Sequence, residues 1–131
     1  MKQAVHEKVY ILESVRTNTF KESFAADAGA VWQTASARFT ESAVKYGIYH
    51  NYESDFKGDY DLTVAVDSPQ SGDSMTLEGN YHIFPVDMNG ENPIVAAWAQ
   101  IWAQPLRRAY TKDFEKYSPD GTVSIYIAVL D

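Results

Sequence analysis

One acidic residue has neighbours that point to chemistry. Glu115 lies in the run Asp113-Phe114-Glu115-Lys116-Tyr117. The run reads as a strand, so Asp113, Glu115 and Tyr117 are expected on one face. A glutamate in a strand is ordinarily exposed. If it is buried instead, its charge is costly unless something pairs with it. A cationic ligand is one such partner. In an empty pocket desolvation would raise the carboxyl pKa, and a bound cation would lower it.

Aromatic side chains are the second candidate group. Nine Tyr, six Phe and three Trp make up 14% of the chain. Trp98 and Trp102 are four residues apart, on one face of an expected helix. Tyr46, Tyr49, Tyr81, Tyr117 and Tyr126 fall in expected strands. A ring face attracts a cation by about 0.5–2 kcal/mol. Several faces around one carboxylate would make a site for aromatic or quaternary amines, whereas each ring alone fits a plain core equally well. The candidate ligand-binding set is Glu115, Tyr117, Trp98, Trp102, Tyr49, Tyr81 and Tyr126, with no catalytic residue assigned.

Other chemistries lack the residues they need. The chain has no cysteine, which removes disulfides, thiolate metal sites and cysteine nucleophiles. His6, His50 and His82 show no ligand spacing, so no metal is expected. No nucleophile elbow, P-loop or dinucleotide-binding glycine pattern occurs, and no cofactor is expected. Arg107, Arg108, Lys112 and Lys116 form a small basic cluster, read as solvated or helix-end charge. The net charge of −7 repels phosphates and argues against direct nucleic acid binding. It mildly favours cations, or simply keeps a small domain in solution. No apolar run is long enough to span a membrane and no signal peptide is legible, so a cytoplasmic location is expected.

The 131 residues suit one domain. Strands are expected over 9–20, 46–52, 60–67, 75–86, 110–117 and 122–130. Ala28, Val31, Trp32, Ala35 and Phe39 recur at helical spacing, with Asp27 as the expected N-cap. Asn92-Pro93 marks a second helix start, whose stripe is Ile94, Trp98, Ile101 and Trp102, and Pro105 should kink or end it. Residues 55–59 and 118–121 read as turns and 67–74 as a loop. The halves, approximately 1–67 and 75–131, run alike. Trp32 answers Trp98, residues 51–55 answer 116–120, and 64–66 answer 127–129, at an offset of about 63 to 66 residues. This predicts an α+β fold of duplicated βαββ units. An antiparallel sheet of about eight strands with two main helices would be related by a pseudo-two-fold around a central ligand pocket.

The C-terminal third adds a resemblance. Asp113 to Tyr117, then Ser118-Pro119-Asp120-Gly121, then Val123-Ser124-Ile125-Tyr126-Ile127-Ala128-Val129 resembles the closing signature of the GyrI-like effector-binding family. That family includes drug-sensing C-terminal halves of transcription regulators of the BmrR and Rob type, and stand-alone proteins, some carried on integron cassettes. The resemblance implies binding of lipophilic cations, drug-like compounds among them, with Glu115 as countercharge. It implies the stand-alone kind here, because 131 residues leave no space for a DNA-binding domain.

Three functions follow as expectations. The first is a non-catalytic receptor for hydrophobic cations. The second, an enzyme, is implied by family members that resemble hydrolases of reactive toxins. It needs another acid or base beside Glu115, with Glu78, Glu53 and Asp113 as candidates. The third, implied by family members that act on DNA gyrase, is a protein-interaction module, which would call for a large exposed apolar patch.

Overall fold

The computed structural model describes residues 2–55, 57–69 and 73–130. Phe56, in the expected 55–59 turn, and 70–72, in the expected 67–74 loop, lie outside the described residues. The order is β1 (Lys2–Thr17), α1 (Phe24–Ser36), β2 (Lys45–His50), β3 (Tyr60–Val66), β4 (Ser74–Pro85), α2 (Pro93–Trp102), β5 (Lys112–Tyr117) and β6 (Val123–Ala128). The strands close into an antiparallel barrel in the order β1-β3-β2-β5-β6-β4.

The barrel has six strands where about eight were expected. The six correspond to the six segments read as strands and to three strands per βαββ unit, so the count of about eight was too high. β1 and β4 are the longest because each changes neighbour partway along its length. The first half of β1 pairs with β4, from Lys2↔His82 to Tyr10↔Ser74, and its second half pairs with β3, ending at Thr17↔Tyr60. A register shift between Ile11 and Glu13 marks the handover, as a bulge that bends a strand would. β4 likewise passes from β1 to β6 around Tyr81 and His82. Nearby Gly79 has φ 146°, a conformation that glycine adopts at little cost.

Strand alternation sorts the side chains into two layers. Val5, Val9, Tyr46, Ile48, Ala65, Leu77, Tyr81, Phe114 and Ala128 come from all six strands and fill the barrel. The opposite faces carry the helices. Val31 and Ala35 of α1 pack on Leu12, Leu62 and Val64, and Ile101 of α2 packs with Ile125 and Ile127.

The helix ends differ in detail from expectation. Ser23 holds the N-cap position of α1. Asp27 sits inside the first turn, where its carboxylate accepts from Thr17 Oγ1 at 2.8 Å and Ser23 Oγ at 3.1 Å. Asn92 and Pro93 do open α2, although the Asn92 side chain makes no capping bond. α2 stops at Trp102, ahead of Pro105.

The pairing map is unchanged when the halves are exchanged. β1–β3 and β2–β3 correspond to β4–β6 and β5–β6, while β1–β4 and β2–β5 join the halves. Along the β2–β5 seam Ile48 pairs with Phe114. The shift that carries Trp32 onto Trp98 also carries Tyr49 onto Glu115 and Gly47 onto Asp113.

Candidate functional site

The outward faces of β2 and β5 meet in the cleft between the two helices. Alternation turns Phe114 into the barrel and leaves Asp113, Glu115 and Tyr117 facing the cleft, as the sequence spacing indicates. Glu115 is 3% exposed. Its Oε2 accepts from Trp98 Nε1 at 2.7 Å and from Tyr49 Oη at 2.9 Å. Its Oε1 accepts from Tyr117 Oη at 2.7 Å. All three donors are neutral.

Burial raises the Glu115 pKa above the ordinary carboxyl value, and the hydrogen bonds from Tyr117, Trp98 and Tyr49 pull it partly back. Burial and the adjacent carboxylate hold the Tyr49 and Tyr117 hydroxyls well above their ordinary range, so both remain protonated donors. Tyr60 is pushed up to about 12, mainly by burial.

Beside Glu115 opens a cavity of about 300 Å³. Tyr49, Tyr52, Tyr60, Trp98 and Trp102 supply its rings, and Phe24, Ile94 and Val95 supply further apolar wall. The rings pack edge-on or tilted: Tyr49 stands 5.3 Å from both Tyr60 and Trp98, and Tyr52 lies 5.8 Å from Tyr60. Such contacts fix ring orientation, so the cavity walls are set by the protein's own packing.

A second carboxylate, Asp113, shares this face but is already engaged. Arg108 NH2 donates to its Oδ2 at 2.8 Å, the Ala128 amide donates to Oδ1 at 2.7 Å, and Tyr52 Oη also donates. Burial raises the Asp113 pKa, opposed by Arg108, Tyr52 and the Ala128 amide. Burial, the largest single influence, lowers the Arg108 pKa, but Asp113 with Tyr52 and Tyr110 together raise it above the ordinary value, so the guanidinium stays charged. The Arg108 guanidinium also lies 4.5 Å from the Tyr110 ring centroid. Tyr110 has φ 53°, which costs a non-glycine residue about 1–2 kcal/mol. That conformation sets the ring against Arg108 and 5.5 Å from Tyr52.

Four of the seven candidates, Glu115, Tyr49, Trp98 and Trp102, line the cavity. Tyr117 sits behind it, bonded to Glu115. Tyr81 and Tyr126 are not brought to the cleft. They lie on the inner side, where Tyr126 stacks on Phe114 at 4.4 Å and Tyr81 packs edge-on to Phe114 at 5.3 Å. The Tyr81 hydroxyl donates to the Lys112 carbonyl. The reason is register: Tyr126 pairs directly with Phe114 and so shares its face.

The expected basic cluster is split. The Arg108 side chain is 7% exposed and paired with Asp113, while Lys116 bonds Glu7 on the other side of the sheet. Of the carboxylates considered for catalysis, Glu53 is exposed and Glu78 pairs with exposed His6 at 3.4 Å. Only Asp113 shares the Glu115 face. Sequence reasoning missed Tyr52, Tyr60, Arg108 and Phe24 as lining residues. Alternation from Leu62 would have turned Tyr60 to the cleft, whereas Arg108 sits in a connection with no period to read.

The family model for Cass2, the integron-associated effector binding protein, matches residues 10–129. A crystal structure of the integron cassette protein VCH_CASS2, from the mobile metagenome of Vibrio cholerae, is similar with a TM-score of 0.80 at 29% identity. That similarity covers 99% of this chain and 95% of the other. No curated protein matches the sequence. With Glu115, its three donors and both helices inside the matched span, the chain belongs to the Cass2 family of integron-associated effector-binding proteins.

Proposed function

We propose that the protein is a non-catalytic receptor for hydrophobic organic cations, acting in the manner of GyrI-like effector-binding domains. One observation carries the reading. A buried carboxylate, hydrogen-bonded by neutral donors, forms one wall of a cavity otherwise dominated by rings and aliphatic side chains. Such a charge is costly while the pocket is empty and is compensated when a cation arrives. Ring faces add cation–π attraction, strongest where water is excluded. Membership of an effector-binding family supports a small-molecule ligand.

A hydrolytic role would need a second free acid or base near Glu115. Asp113 is the carboxylate on the same face, and its oxygens are taken up by Arg108, Tyr52 and the Ala128 amide. The receptor reading is therefore preferred.

The test is a tryptophan-fluorescence titration with benzyltrimethylammonium and its neutral carbon analogue neopentylbenzene, on wild type and Glu115→Gln. The cation should saturate the wild type and bind about thirtyfold or more weakly to the variant, the size of effect expected when one partner of a buried charge pair is removed. The neutral compound should respond little to the substitution. Equal binding of cation and neutral analogue, or an unchanged cation affinity in Glu115→Gln, would overturn the reading.

A further inference from the structure

The cleft is symmetric in frame but not in filling. Trp32 on α1 and Trp98 on α2 occupy corresponding places, and Glu115 lies between them. Trp98 donates to Oε2, on the side where the cavity opens. On the Oε1 side the space is taken by Trp32. Its ring packs edge-on to Tyr117 at 5.3 Å and to Phe39 at 6.2 Å.

What lets Trp32 lie there is a missing side chain. Gly47 pairs with Glu115 across the β2–β5 seam. A Cβ on Gly47 would stand 2.8 Å from Trp32 Cζ2 and 3.1 Å from Glu115 Oε1. Any other residue would push the indole outward or displace the carboxylate. In the other half, Asp113 occupies the place equivalent to Gly47 and is held by Arg108 and Tyr52. The two halves thus use the same position differently: a glycine admits a ring on one side, and an anchored carboxylate stands beside the open cavity on the other.

We infer that Trp32, seated on Gly47, is a specificity-determining wall that limits how large a cation can reach Glu115. Trp32 is half-buried and stands behind Glu115 rather than in the cavity lining. Removing its ring opens space on the Oε1 side that the surroundings fill only partly. Adding a methyl at Gly47 has a different effect, disturbing the wall and the carboxylate together. The inference rests on the receptor reading of Glu115 and adds to it a size limit.

The experiment measures affinities by isothermal titration calorimetry for a compact cation, benzyltrimethylammonium, and a bulky one, tetraphenylphosphonium. The proteins are wild type, Trp32→Ala, Trp32→Phe, Gly47→Ala and Glu115→Gln, each checked for folding by circular dichroism. Trp32→Ala should shift the affinity ratio toward the bulky cation by about tenfold or more, the scale on which pocket size discriminates between ligands. Trp32→Phe, the milder truncation, should shift it the same way by a smaller factor and decides the matter if the alanine variant does not fold. Gly47→Ala should weaken the compact cation. An unchanged ratio in a folded Trp32 variant, with Glu115-dependent binding intact in the wild type, overturns the wall alone. Loss of Glu115 dependence in the wild type overturns the receptor reading and the wall with it.

Discussion

At the residue scale, the burial of Glu115 ties the proposed cation binding to stability. Its folded pKa is raised above the ordinary carboxyl value of 4.5, chiefly by burial. The fold therefore favours the protonated form. The associated stability is fully present below the ordinary value and is lost as pH rises through the raised one. Glutamine at 115 cannot ionise, so Glu115→Gln should melt above the wild type at high pH, and the gap should close as pH falls toward the ordinary carboxyl value. Each kcal/mol gained should appear as roughly 2–8 °C in Tm. Asp113, also raised, is present in both proteins and cancels in the difference. Differential scanning fluorimetry across pH checks this, and a wild type that melts higher at every pH would contradict it. Saturation with a bound cation should reverse the order at high pH, since only the wild type gains the charge pair. The Glu115 side of this was legible in the sequence because strand parity fixes which of Asp113, Phe114 and Glu115 share a face. The placement of Tyr81 and Tyr126 was not legible, because it depends on cross-strand register.

At the scale of elements, the connection from α2 to β5 carries more than its composition reveals. Arg107 and Arg108 look alike in sequence, yet Arg107 is exposed while Arg108 is buried against Asp113. Arg108 thereby pins the segment after α2 to the start of β5, next to the cavity wall. Arg108→Ala would leave Asp113 buried without its cation and should cost about 3–5 kcal/mol of unfolding free energy. Replacing both residues, as in Arg108→Met with Asp113→Leu, should cost less than Arg108→Ala alone. Urea denaturation of the three proteins tests the order, and a near-neutral Arg108→Ala would show that the pair contributes little. The helices were legible from three- and four-residue apolar spacing and the Asn92-Pro93 start. The first half of β1 was not, because Lys2 to Lys8 is polar apart from Ala4 and Val5 and only Val5 in it is buried. That segment is a strand because β4 offers it a partner, not through its own pattern.

At the scale of the whole molecule, charge and symmetry act together. The net charge of −7 should draw cations toward the cleft and raise their association rate, an effect that salt screens over a Debye length of about 8 Å at physiological ionic strength. Stopped-flow titration with tetraphenylphosphonium should show association slowing as salt rises while dissociation changes little. A salt-independent association rate would place all the attraction inside the pocket. The exchange symmetry of the strand pairing has a counterpart in the sequence, where Trp32 and Trp98 and the closing strands keep their spacing. The count of about eight strands overshot, although the six segments marked by their pattern are the six that form.

The pairing of β4 has one more consequence. His82 pairs with Lys2 on one side and with Ile127 on the other. Two strand spacings then separate those residues, about 10 Å. Head and tail of the barrel are close enough for a short glycine-serine tether to join them, and the order of the chain becomes a circle that can be opened elsewhere. Opening it at the connection between β3 and β4 would give a protein that begins with β4 and ends with β3, with every strand keeping its neighbours. Such a circular permutant should fold to the same barrel and show the same dependence of cation binding on Glu115. In this architecture the pocket belongs to the closed ring of strands, whichever strand the ribosome makes first.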